Sequence, residues 1–182
     1  MPQMDDETKK VLNDTTKRVH GELPKLYQAI GHALDLWQHV EEALNFIFRR
    51  VSTCSSEHVA SAIYYSPRDF SDKLKMTHNA MRFAINDEKL LQEWAELRKL
   101  MINASEVRNA LAHFTVVIHT PVEGYEHTRP LLKPNFFDVT EKFKDRKPAV
   151  QNLNADTIHE HMLAFHALEI KLREFLPRIP QP

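Results

Sequence analysis

The chain has 182 residues, 42% of them hydrophobic, and 24 lysines and arginines against 25 aspartates and glutamates give it a formal net charge of −1. That length can bury one core, and the balanced charge excludes a basic field attracting nucleic acid over the whole surface. Three glycines and a single cysteine, Cys54, argue against a turn-rich all-β fold and leave no glycine-rich phosphate loop, disulfide framework or cysteine zinc site within the chain.

Residues 1–20 (MPQMDDETKKVLNDTTKRVH) are too charged for a signal peptide and read as a flexible arm or a short leading helix. No apolar run approaches the roughly 18 residues of a membrane span, so no membrane is expected and the expected location is cytoplasmic. A single domain is expected over residues 21–177, with 178–182 as a tail. Its first helix runs from about Pro24, a proline tolerated in a first turn, to Val51. A shorter helix follows Ser55 or Ser56. Ser66-Pro67-Arg68-Asp69 then predicts a third helix, with Ser66 as N-cap, Pro67 at N1 and the acid at N3. Asn86 or Asp87 caps a fourth, which reaches about His113.

There the period changes. Phe114-Thr-Val-Val-Ile-His119 is β-branched and predicts a strand. Gly124 supplies a turn, and a second strand is expected within residues 131–139, where Pro134 confines it to an edge. Asn154 or Asp156 caps the last helix, which runs to Leu176 with Ile158, Phe165, Leu168, Leu172 and Phe175 on one stripe. The expected fold is all-α: an antiparallel helical bundle with a small β-hairpin inserted before its last helix, at about residues 114–140.

Helical phase, at about 100° per residue, singles out two charges. With Ala33 as zero, Leu34, Trp37, Val40, Leu44, Ile47 and Phe48 fall between about −40° and +100°, and Glu41 falls among them near 80°. Asp35, Gln38, His39, Glu42 and Asn45 take the opposite, solvated face. On the fourth helix, with Leu90 as zero, Trp94, Leu97, Met101, Ala104 and Ala112 lie within about 40°, and Arg108 lies at the centre of that stripe. A guanidinium there must be paired or face a cavity, because an isolated buried charge costs several kcal/mol. Glu41 is the expected partner. Such a pair can serve helix register alone. It can also serve chemistry, because His113 follows five residues on, about 140° round and roughly 7.5 Å along the helix, at a C-terminal end where the dipole favours cations. Arginine offers phosphate a permanent fork and histidine a proton near neutral pH. One helix does not converge the two side chains on one atom. Two copies related by a two-fold axis would bring two arginines and two histidines into one cleft, as acid–base cleavage of RNA requires.

Arg108-Asn109-Ala110-Leu111-Ala112-His113, with the early acid in Trp37-Gln-His-Val-Glu41, resembles the HEPN superfamily. Its members are helical bundles whose signature is an arginine, four to six residues, then a histidine, often with a polar residue directly after the arginine. The resemblance covers roughly residues 24–176 as an architecture. It implies a metal-independent endoribonuclease acting on single-stranded RNA as a homodimer, of the toxin or phage-defence type. Arg108 would stabilise the scissile phosphate, His113 would act as acid or base, Asn109 would position one of them and Glu41 would orient Arg108. No cofactor or metal is implied, and an antitoxin or another protein is an expected class of partner. One branch of the superfamily has a tyrosine two residues after the histidine, as a modification target; here that position is Thr115. Other members are non-catalytic modules that bind a nucleotide or a protein, and this is the alternative reading, with a structural Glu41–Arg108 pair.

The eleven histidines present no pair spaced three or four apart, so no helix offers two metal ligands. His32 and His39 lie two turns apart, and His159 and His161 point to different sides. Lys142, Lys144, Arg146 and Lys147 form a local basic run beside the hairpin that is a candidate for holding an RNA backbone. Arg49 and Arg50 suit a helix C-terminus, and Trp37 and Trp94 are expected in the core.

Overall fold

The computed structural model describes residues 5–122, 124–134 and 150–180. Its described residues form five helices, α1 (Asp6–Val51), α2 (Glu57–Tyr65), α3 (Phe70–Ala84), α4 (Glu88–His113) and α5 (Ala155–Phe175), with strands β1 (Thr115–His119) and β2 (Arg129–Lys133) between α4 and α5. The chain is mostly α-helical, with an antiparallel hairpin before the last helix, and no described helix is long and apolar enough to cross a membrane.

Local chemistry sets most of the boundaries. Asp87 Oδ1 accepts the Lys89 and Leu90 amides at 2.8 and 3.2 Å and opens α4. Asn154 and Thr157 cap each other at the start of α5, amide to side chain in both directions at 2.8 and 2.9 Å. The third helix starts later than the sequence predicts. Ser66 closes α2 instead, donating its hydroxyl to the Ala62 carbonyl at 2.8 Å, and Asp69 is the N-cap of α3.

The leading segment is also corrected. Residues 6–23 are neither an arm nor a separate helix but the opening turns of α1, which continues through Pro24. Asp5 opens it by accepting the Thr8 amide at 2.7 Å. Pro24 leaves the His20 carbonyl without its helical donor, and His20 is exposed, so water can fill that place.

The chain divides into two compact units, Met1–Leu34 with Asn109–Glu160, and Asp35–Arg108 with His161–Pro182. In the first, β1 and β2 pair from Thr115↔Lys133 to His119↔Arg129, and Leu132 makes an isolated antiparallel bridge to Leu153. β2 therefore ends before Pro134, and residues 135–139 of the expected strand lie outside the described ones. Thr15 donates to the Tyr125 carbonyl at 3.2 Å and Arg18 to the Thr128 carbonyl at 2.9 Å, which ties the hairpin loop to α1. Gly124 sits at φ +140°, where a Cβ would meet the Glu126 carboxylate.

The second unit holds the larger aromatic core. Trp37 meets Phe70 and Phe165 edge-on at 4.7 and 5.4 Å, and Trp94 stacks on Phe175 at 6.0 Å. The whole predicted stripe of α5, from Ile158 to Phe175, is buried, as are both tryptophans. Asn45 departs from its expected solvated face: α2 covers it, and its amide donates to Ser61 at 3.3 Å.

Candidate functional site: a buried carboxylate and its cations

Glu41 is 5% exposed, on the face of α1 where helical phase puts it. Its Oε1 accepts the Trp37 indole N–H at 2.9 Å and lies 3.5 Å from Nη2 of Arg108. The expected meeting of Glu41 and Arg108 is thus present in the structure. The sequence reading missed a third member. Lys73, from α3, donates to Glu41 Oε2 at 2.9 Å, with its side chain only 10% exposed. Its ammonium lies 5.7 and 5.3 Å from the ring centroids of Tyr64 and Tyr65. The Tyr64 hydroxyl donates to the Glu41 backbone carbonyl at 3.0 Å. Burial, and then the charge of Glu41, push the Tyr64 phenol well above its ordinary value, so it remains a neutral donor.

A signal for Lys73 was present in the phase of α3. With Phe70 as zero, Leu74, Thr77 and Met81 fall within about 40° and Lys73 near −60°, beside the apolar stripe rather than opposite it. Lysines in such places usually extend to water along their stems; this one is held inward by a carboxylate on another helix.

Arg108 is less buried than its predicted central position implies: its side chain is 26% exposed. The buried face of α4 rotates in its last turns. Leu90, Trp94, Leu97 and Met101 are buried near the stripe centre, but Val107 and Leu111, at roughly −100° and −60°, replace Ala104 and Ala112 inside. Ala112 is exposed. Arg108 consequently stands at the edge of the buried face, 3.5 Å from Glu41 and partly exposed.

Arg108 ends one segment of the second unit, whereas Asn109 and His113 belong to the first. There His113 is the exposed last residue of α4, followed by the Phe114 amide bonded to the Ala110 carbonyl at 2.9 Å. The structure therefore brings together Glu41 and Arg108 of the four expected site residues and adds Lys73. Lys142, Lys144, Arg146 and Lys147 lie outside the described residues.

The chain matches no known protein family, no curated protein and no solved structure.

Two other polar centres occur in the second unit. Glu169, 8% exposed, accepts Arg173 Nε at 2.7 Å, with His166 and His39 at 3.4 and 3.9 Å. Burial pushes this carboxyl up, but the Arg173 bond and charge, with His166 and His39, outweigh that and hold it below its ordinary value. The buried Trp94 donates its indole N–H to His78 Nδ1 at 3.1 Å, which requires a neutral ring with its proton on Nε2. Burial, followed by the charges of Arg98 and Arg82, lowers the His78 pKa in the same sense. Among the described residues, no group of three or more His, Cys, Asp or Glu is arranged to hold a metal ion.

Proposed function

We propose that the chain is a HEPN-like endoribonuclease that cleaves single-stranded RNA as a homodimer without a metal. One observation supports this above the others: the arginine of the Arg108–His113 motif is held by a carboxylate that a second, more deeply buried cation already neutralises. A guanidinium serving only as counter-ion to Glu41 has no need of that second cation. In the proposed reaction, a His113 takes the proton of the ribose 2′-hydroxyl, and the 2′-oxygen attacks the adjacent phosphorus. The bond from phosphorus to the 5′-oxygen breaks, and the second copy's histidine protonates that leaving oxygen. The products carry a 2′,3′-cyclic phosphate and a 5′-hydroxyl. Arg108 neutralises charge on the phosphorane, and Asn109 orients the reacting groups.

The alternative, a non-catalytic HEPN-like module that binds a nucleotide or a protein, is favoured by one feature. The bonds from Trp37 and Lys73 to Glu41 make a complete structural knot without any substrate. A fluorescent mixed RNA pool incubated in EDTA separates the two. The proposal expects wild-type cleavage with cyclic-phosphate ends and none by His113→Ala of equal helicity. An inert wild-type dimer would leave the binding module.

A further inference from the structure

We infer that Lys73 is a positioning residue that keeps Arg108 available to a phosphodiester. The substrate class rests on the ribonuclease reading; the electrostatic argument rests on the structure. Glu41 carries one negative charge and faces two cations from different helices. Lys73 holds Oε2 at 2.9 Å with its ammonium under two tyrosine rings, and its side chain is 10% exposed. Arg108 reaches Oε1 at 3.5 Å, beyond ordinary hydrogen-bond length, and is 26% exposed. The two cations therefore differ in what they can do. Lys73 is the shorter and more deeply buried partner, whereas Arg108 is the longer and more exposed one.

An incoming phosphate oxygen competes with Glu41 for Arg108. Moving Arg108 away from a buried carboxylate is costly if that carboxylate is left alone. Lys73 removes most of this cost, because Glu41 keeps its shorter ion pair and its indole donor throughout. Without Lys73, Arg108 becomes the one remaining cation of Glu41 among the described residues and is drawn inward, away from the substrate. Lys73 thus acts on RNA through Arg108 and has no need to touch it.

The test uses a fluorescein-labelled single-stranded RNA with 2′-O-methyl groups throughout. This probe lacks the attacking hydroxyl and reports binding whether or not the protein cleaves. Lys73→Met keeps the length of the stem and removes the charge. It is expected to weaken binding about tenfold, the scale of one charge-assisted hydrogen bond. Glu41→Gln in the same chain removes the carboxylate that captures Arg108, and is expected to restore the affinity. In an Arg108→Ala background, Lys73→Met is expected to change nothing further. All variants are compared at a temperature where circular dichroism shows them folded.

Unchanged binding by Lys73→Met would overturn the inference, and so would a loss that Glu41→Gln fails to rescue, which would mark a purely structural lysine. Absence of binding by the wild type would overturn it as well. Rescued binding together with no cleavage of ordinary RNA would support the inference and sink the ribonuclease reading. Cleavage by Lys73→Met with an unaltered KM would do the reverse.

Discussion

Glu41 and Glu169 lie in the same compact unit and are almost equally buried, at 5% and 8% exposure, yet they are held in opposite ways. Glu169 takes its principal partners from its own helix, His166 three residues before and Arg173 four residues after, and both are about half exposed. Glu41 takes its cations from α3 and α4, 32 and 67 residues away by number, with side chains only 10% and 26% exposed. A carboxylate on a wet rim exchanges one solvated partner for another at little net gain. Within a core, each partner counts, because removing one leaves a charge that water cannot reach. Burial of the carboxylate alone says little; burial of its partners decides what the pair contributes.

The sharpest way to break this contrast is to delete each acid. Glu41→Ala strands Lys73 and Arg108 together and is expected to cost about 3–5 kcal/mol. Glu169→Gln leaves Arg173 with water and Glu42, 3.3 Å away, and is expected to cost about 1 kcal/mol or less. Urea melts of the two variants at pH 7 measure both, and equal losses would contradict the distinction.

The next effect separates the two cations of Glu41. Lys73→Met is expected to cost about 2–3 kcal/mol and Arg108→Ala about 1 kcal/mol, because Lys73 is the shorter and drier pair. Thermal unfolding ranks them, and the reverse order would show that Arg108 is the structural partner.

The smallest effect is a pH dependence confined to Glu169. Its folded-state pKa lies below the ordinary value of 4.5, so its contribution is full above that value and is lost as pH falls through the folded one. The stability gap between wild type and Glu169→Gln should therefore hold above the ordinary value and shrink as pH falls below it. A gap that already closes near neutral pH would contradict this assignment.

Much of this arrangement was legible in the sequence because it follows helical phase. Phase put Glu41 on an apolar face, paired it with Arg108, and marked the buried stripe of α5. The capping residues Asp87 and Asn154 and the hairpin after His113 were legible from local chemistry. What escaped depends on partners far along the chain. Lys73 looks like any flanking lysine until α1 presents Glu41 to it. Residues 6–23 join α1 with help from Thr15 and Arg18, whose acceptors lie 110 residues away, and Asn45 is buried only because α2 covers it. The rotation of the buried face at the end of α4, which moves Arg108 to an edge, is also set by packing rather than by a fixed period.

In the proposed ribonuclease, Arg108 acts on the phosphate and Lys73 acts by positioning Arg108. The most direct test is cleavage of single-stranded RNA in EDTA by Arg108→Ala, with folded fraction and oligomeric state matched to wild type. Folded Arg108→Ala that has lost cleavage by a factor of about 10² or more, the scale for removing one preorganised donor to a transition state, is the predicted result. Folded Arg108→Ala that cleaves as wild type does would contradict it, and would assign the arginine to structure alone.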